Sequence, residues 1–170
     1  MIESIIRSHR LTFDKSETED IPTIIEIERK KENNKFVYQW PKERHLESIN
    51  NGDELHITIR DIEENEIIGY LIMAGFENFH NSLEFMRLVI DKKGYGYGKE
   101  SIELIKKMSF EEYGCHRLWL DVYDDNKRAI HIYKSMGFVE EGTLRECKKS
   151  SDGYRSMIIM SILDREYKKQ

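Results

Sequence analysis

Residues 92–101 read Lys92-Lys93-Gly94-Tyr95-Gly96-Tyr97-Gly98-Lys99-Glu100-Ser101. An apolar run, Leu83 to Ile90, precedes this stretch, and a run with helical spacing, Tyr97 to Tyr113, follows it. Strand, glycine turn and helix, in that order, converge backbone N–H groups on an anion at the helix N-terminus. Glycine suits such a turn because a Cβ would hold a phosphate off and because some positions need φ > 0. Lys92, Lys93 and Lys99 add positive charge to a chain whose net charge is −5. The glycines alternate, so the dinucleotide pattern G-x-G-x-x-G is absent. Gly98-Lys99 is followed by Glu100, so the phosphate loop G-x-x-x-x-G-K-[ST] is absent too.

The rest of the chain supplies strands and helices around this turn. Leu11 to Phe13 is a short strand. Ser16 to Asp20 offers capping residues for a helix with Ile21, Ile24, Ile25 and Ile27 as its apolar face. Glu26, Glu28 and Glu32 fall to its solvated side. Trp40-Pro41-Lys42-Glu43 opens a second helix that Asn51-Gly52 ends. Leu55 to Arg60 alternates as a strand, and Ile67 to Phe76 is another, with Gly69 where a neighbouring segment packs close. Glu77 to Ser82 is a loop before the strand Leu83 to Ile90. After the helix Tyr97 to Tyr113, stopped by Gly114, come a strand Arg117 to Tyr123 and a helix Lys127 to Met136. The strands Phe138 to Leu144 and Ser156 to Leu163 follow. This order makes a mixed α/β domain spanning residues 1–170.

Two motifs carry a family resemblance. Lys93-Gly94-Tyr95-Gly96-Tyr97-Gly98 resembles the acetyl-coenzyme A pyrophosphate loop, Q/R-x-x-G-x-G/A, of the GNAT superfamily (GCN5-related N-acetyltransferases), with lysine where glutamine or arginine is usual. Asn126, Ala129, Tyr133, Gly137 and Phe138 resemble its N-x-x-A-x-x-x-Y-x-x-x-G-F signature, in the expected order. The ending Gly-Phe-Val-Glu-Glu-Gly-Thr-Leu-Arg is similar to the ribosomal-protein N-terminal acetyltransferase branch. The resemblance implies the acyl-CoA N-acyltransferase fold, a mixed, mostly antiparallel central sheet flanked by helices. It implies acetyl-CoA as cosubstrate, with Leu88, Val89 and Ile90 pairing with the pantetheine arm. Lys93, Gly94, Tyr95, Gly96, Tyr97, Gly98 and Lys99 would cradle the pyrophosphate.

The residues fit that chemistry. Asn126 and Tyr133 are two helical turns apart and project from one face. Asn126 opens its helix with an amide that can bond a pantetheine; its plainer role is an N-cap. Tyr133 can put a phenol beside the thioester sulfur and protonate the leaving thiolate; its plainer role is core packing. The base is harder to find. An alkyl amine of pKa about 10.4 must lose a proton before it attacks. Glu84, on the strand before the glycine turn, is the candidate, against a surface or salt-bridged carboxylate or a water chain. Counting by two, Glu84, Met86 and Leu88 share one face, opposite Phe85, Arg87 and Val89.

Composition bounds the rest. A chain of 170 residues, 39% hydrophobic and 35% charged, builds one core. Glu3, Arg7, His9 and Arg10 interrupt any secretory leader, and no apolar run is long enough to span a membrane. Cys115 and Cys147 form no metal spacing, so no metal and a cytoplasmic setting are expected. His45, His56, His80, His116 and His131 read as surface or packing residues. Net acidity argues against nucleic acid as a partner. Phe36, Tyr38, Trp40 and the 77–82 loop fall where this family shapes its acceptor site.

The leading expectation is direct acetyl transfer to a primary amine, of a small molecule, a polyamine or a protein N-terminus, in a ternary complex. Neither cysteine is placed for an acyl-enzyme: Cys115 starts a strand and Cys147 is near a turn. A non-catalytic acyl-CoA sensor or interaction module is the alternative, and a nucleotide-binding protein is a third. Similar proteins are commonly dimers, which leaves a homodimer open.

Overall fold

The computed structural model describes residues 4–170. Glu3, named above, lies outside them. Eight strands form one sheet: β1 (Ser4–Arg7), β2 (Leu11–Lys15), β3 (Glu54–Asp61), β4 (Ile67–Ala74), β5 (Ser82–Ile90), β6 (Arg117–Tyr123), β7 (Val139–Ser150) and β8 (Gly153–Leu163). Their order is β1-β2-β3-β4-β5-β6-β8-β7. Every neighbouring pair is antiparallel except β5–β6, which is parallel. The helices are α1 (Ile21–Arg29), α2 (Lys31–Asn34), α3 (Lys42–Asn50), α4 (Tyr97–Lys107), α5 (Lys127–Ser135) and α6 (Asp164–Tyr167).

Several boundaries differ from the sequence reading. β1, α2 and α6 are four residues each, too short to show a period. The helix after the glycine turn ends at Lys107 and widens into a π-helical turn, Met108–Glu112. The last hairpin is longer than expected because Arg145 to Ser150, polar and exposed, continues β7.

The largest correction on α1 is Glu28, expected in solvent and found fully buried. It stands four after Ile24 and seven after Ile21, so it shares the face those isoleucines bury. His45 and His56 are buried as well, in one hydrogen-bonded row with Glu28.

The core has two parts. The larger lies under α4 and α5 and takes side chains from β2 through β6 and from β8, among them Phe13, Phe85, Leu118 and Met160. The smaller joins α1 and α3 to β4 and β5 through Ile21, Ile24, Tyr70, Ile72 and Val89. One face of the sheet is therefore covered across its middle. The other is covered only on the N-terminal half.

Across that half-covered face the sheet splits. β5 and β6 pair only at Ser82–Arg117, Leu83–Leu118 and Glu84–Trp119. Beyond Glu84 the strands part, and β5 has a partner only in β4. A β-bulge sits at the fork: Ile72 faces Arg87 and Met73 faces Phe85, so Met86 is the extra residue. The bulge breaks the expected alternation, as bulges do. Leu83, Phe85, Leu88 and Ile90 pack on the larger core, whereas Met86 and Val89 pack on the smaller.

Gly69 is the close approach that the sequence suggested. A Cβ there would lie 2.3 Å from the Val89 carbonyl oxygen, which is backbone and cannot step aside. Gly69→Ala should force β4 from β5 and lose about 2–3 kcal/mol. Gly142→Ala, which meets nothing within 4 Å, should change stability by less than about 0.5 kcal/mol. Urea unfolding of the two variants measures the contrast.

Candidate active site

The glycine turn builds a helix N-terminus with a clear approach. Gly94 and Gly96 have φ of 83° and 81°, and Gly96 is the residue before α4. No side chain caps α4, and Cβ atoms added at Gly94 or Gly98 would meet nothing within 4 Å. The start of the helix is thus uncapped, with a clear approach at Gly94 and Gly98. The turn is braced from behind. The Tyr97 hydroxyl donates to Asp61 at 2.6 Å, and its ring stacks on Tyr95 at 5.7 Å. Arg10 donates to the Tyr95 carbonyl at 2.9 Å and pairs with Glu100. So the Tyr97 side chain belongs to the brace, not to the cradle.

The lysines divide. Lys92 is drawn away to Glu64 and Glu66, at 2.7 and 2.8 Å. Lys93 turns back and donates to the Ile90 carbonyl at 2.5 Å. Lys99 is exposed on the first turn of α4.

The fork between β5 and β6 opens into a cavity of about 860 Å³. Glu84, Leu88, Asn126 and Tyr133 all line it, with Phe36, Tyr38 and Trp40 on one wall. Val89, Ile90, the glycine turn and the 77–82 loop are not in its lining. Val89 and Ile90 bury their side chains in the two cores. Asn126 is the N-cap of α5: its Oδ1 accepts from the Ala129 N–H at 3.2 Å, leaving its NH₂ for other partners. The Tyr133 ring meets Phe85 and Phe138 edge-on, each at 5.8 Å. Among the described residues, no side chain or carbonyl claims its hydroxyl.

Two site residues were missed. Asp121 on β6 lines the cavity beside Glu84, and nothing in its local sequence marked it. Cys147, read from the sequence as near a turn and not placed for an acyl-enzyme, lines it too. The hairpin explains this: between Leu144 and Lys148 the register slips, Glu146 takes φ of 50°, and β7 is re-aimed. Cys115 is buried, and burial pushes its thiol up to about 12.

The cavity is costly for charge. Burial, helped by the Asp121 carboxylate, pushes Glu84 up to about 7, while Lys148 works against the rise. Burial also raises Asp121. The Tyr133 phenol is pushed up to about 12, by burial first and by Asp121 second. At neutral pH the cavity thus holds a phenol firmly protonated and a carboxyl that exchanges its proton readily. That pairing suits general acid and base work.

The model of the acetyltransferase (GNAT) family matches residues 21–138. The spermidine N(1)-acetyltransferase of Vibrio cholerae serotype O1 is 28% identical over 74% of this chain and 73% of that protein. The [ribosomal protein bS18]-alanine N-acetyltransferase of Escherichia coli K12 is 25% identical over 89% of this chain and 96% of its own. A crystal structure of spermidine N-acetyltransferase from Vibrio cholerae, in complex with CoA and spermine, superposes with a TM-score of 0.84 at 24% identity. It covers 94% of this chain and 99% of that one. That last likeness is one of fold.

The raised Glu84 has a consequence for stability. The folded chain holds this proton more tightly than the unfolded chain does between the ordinary glutamate value of 4.5 and about 7. Native stability therefore falls as pH rises through that window. Glu84→Gln should remove this loss and stabilise the fold by about 1–3 kcal/mol at pH about 8, with the gain vanishing near pH about 4. Urea unfolding at both pH values measures it.

Proposed function

The chain belongs to the acetyltransferase (GNAT) family, whose acetyl donor is acetyl-CoA, and we propose that it acetylates a primary amine of a polyamine by direct attack. The observation that carries the reading is the fork. One cavity holds the free flank of β5, a raised carboxyl at Glu84 and the Tyr133 phenol.

In this reading the pyrophosphate lies on the N–H groups at the start of α4, with Lys99 nearby, and Gly94 and Gly96 keep the approach clear. The pantetheine arm runs along the flank of β5 from Leu88 toward the turn, as an added strand would. Asn126, with its NH₂ group, borders the arm. The thioester then reaches the fork between Glu84 and Tyr133. Glu84, ionised above about 7, takes the proton that the ammonium must lose. The amine attacks the thioester carbon, the carbon–sulfur bond breaks, Tyr133 gives its proton to the sulfur, and the second proton shed by the new amide nitrogen restores the phenol. A β5 backbone N–H polarises the thioester oxygen. The same reading makes the chain one catalytic domain that works in the cytoplasm.

The polyamine rests on the Vibrio cholerae relative and on the cavity wall. Phe36, Tyr38, Trp40 and Tyr123 give the cavity an aromatic wall that suits the methylene chain of a long amine, and Glu84 and Asp121 give it carboxylates that suit the amine's charge; Arg87, Lys148 and Lys149 line it too. CoA release should be measured with spermidine, spermine, an alanine-ended peptide and an amino sugar. Turnover is expected with spermidine or spermine. Turnover with the peptide alone would move the acceptor to a protein N-terminus, and none with any amine would favour an acyl-CoA sensor.

Tyr133→Phe should slow single-turnover acetyl transfer by roughly 10²–10⁴-fold while acetyl-CoA affinity barely moves, since the lost bond forms only as charge develops on sulfur. Cys147→Ser should keep full activity and leave no trapped acyl-enzyme by mass spectrometry, because direct attack needs no thiol in the protein.

A further inference from the structure

Glu28 is not in the cavity, yet two of its partners are. Its side chain is 1% exposed, and both oxygens are fully engaged. Oε1 accepts from the Tyr70 hydroxyl at 2.8 Å and from Arg87. Oε2 accepts from the Trp40 backbone N–H at 3.3 Å and faces His45 Nε2 at 3.4 Å. The guanidinium, the phenol and the ring hold this carboxylate ionised despite its burial.

Beyond His45 runs a row of hydrogen bonds whose direction follows from counting protons. Thr58 Oγ1 donates to Asp20 at 2.8 Å, so it accepts from Ser16 Oγ, also at 2.8 Å. Ser16 has then spent its proton and accepts from His56 Nδ1 at 2.8 Å. His56 is neutral, so its Nε2 accepts from His45 Nδ1 at 3.0 Å. His45 Nδ1 thus donates to His56, and its Nε2 faces Glu28. From His45 Nδ1 to Asp20 every contact has one proton, and Asp20 closes the row on Arg60 at 2.6 Å. Glu28 is the end of a satisfied, buried network, with no freedom to swing.

At the cavity the network ends in a wall. Two guanidinium groups lie over the Trp40 ring, Arg44 at 4.1 Å and Arg87 at 4.4 Å, and His45 sits against it at 5.4 Å. Arg44 is neutralised by Glu54, and Arg87 by Glu28. Trp40 and Arg87 both line the cavity. The far end of the same segment is pinned by Arg155, 5.6 Å from the Phe36 ring and 3.6 Å from Tyr123.

We propose that Glu28 is a positioning residue for the amine acceptor, holding Trp40 and Arg87 as one wall of the cleft and cancelling the Arg87 charge that a cationic amine would otherwise meet. The inference rests on the reading that this cavity takes the amine. Glu28 touches no reacting atom, so its removal should show in amine binding more than in chemistry. It should not touch acetyl-CoA, whose proposed path lies along β5 and α4.

Glu28→Gln tests this with two readouts. Steady-state kinetics with spermidine should show KM for the amine raised about tenfold or more, with kcat within about threefold and acetyl-CoA affinity unchanged. In a Trp119→Phe background Trp40 is the sole tryptophan, and its acrylamide quenching should rise in the glutamine variant. Tyr70→Phe is the control: it removes another buried bond to Glu28 and lowers the melting temperature, but leaves Trp40 in place and the amine KM unmoved. Should Glu28→Gln fail to fold, Arg87→Lys keeps a positive charge, loses the flat stack on Trp40, and should give the same pair of signals. Quenching that stays at the wild-type level would overturn the proposal. So would an amine KM that rises equally in Tyr70→Phe. The quenching arm needs no turnover, so it stands or falls apart from the acetyl-transfer reading.

Discussion

Three residue pairs join the two halves of the sheet. β5 and β6 are neighbours only from Ser82 to Glu84, and the cavity lined by Glu84, Asn126 and Tyr133 opens at that point. Separating two strands strips backbone groups of their partners, which folding avoids unless something else satisfies them. Here the larger core makes the separation tolerable. Phe85 and Leu88 on one strand and Leu118, Leu120 and Val122 on the other pack into the same apolar mass beneath α4 and α5. The fork is therefore glued on one face and open on the other, a cleft whose floor is rigid. The unpaired flank of β5 is a surface that an extended ligand can complete.

The same opening sets the electrostatics. A carboxyl beside an apolar floor loses hydration and gains no cation strong enough to replace it, so Glu84 rises to about 7 even with Lys148 near. Contrast Glu28, more deeply buried yet held low by Arg87, Tyr70 and His45. The two glutamates show how burial alone decides nothing. What matters is whether the charged form finds donors. Glu28 is given a full set and becomes a fixed point. Glu84 is left short of donors and becomes a group that gives and takes a proton near neutrality.

Much of this was legible in the sequence where local chemistry dictates structure. Gly94 and Gly96 take the positive φ that their spacing suggested, Gly69 is the close approach, and Asn126 and Tyr133 reach one cavity from two turns of α5. Strand β6 matched its alternation residue for residue. Glu28 was misread although the signal was present, since its offsets from Ile21 and Ile24 place it on the buried face. The Met86 bulge left no signal, because one inserted residue in an apolar strand alters no composition. Cys147 was misplaced for a similar reason: a slip in the polar part of β7 turned a residue beside a turn into one that lines the cleft. The row from His45 to Asp20 joins segments far apart in the chain, and no local pattern could foretell it.

The proposed chemistry meets one difficulty at Tyr133. A free phenol is a weaker acid than a free thiol, and burial pushes Tyr133 further up, to about 12. Taken against a thiol in water, of pKa about 8.5, such a phenol would be a poor donor to the departing sulfur. But the sulfur does not depart into water. It leaves within the same cleft, where its negative charge lacks hydration just as the phenolate would. Cys115, elsewhere in the fold, shows the direction of that effect: burial, with a smaller push from Asp164, carries its thiol up to about 12. In the proposed reaction burial raises donor and acceptor together, so the gap that water would set between them narrows. A positioned acid works best when that gap is small.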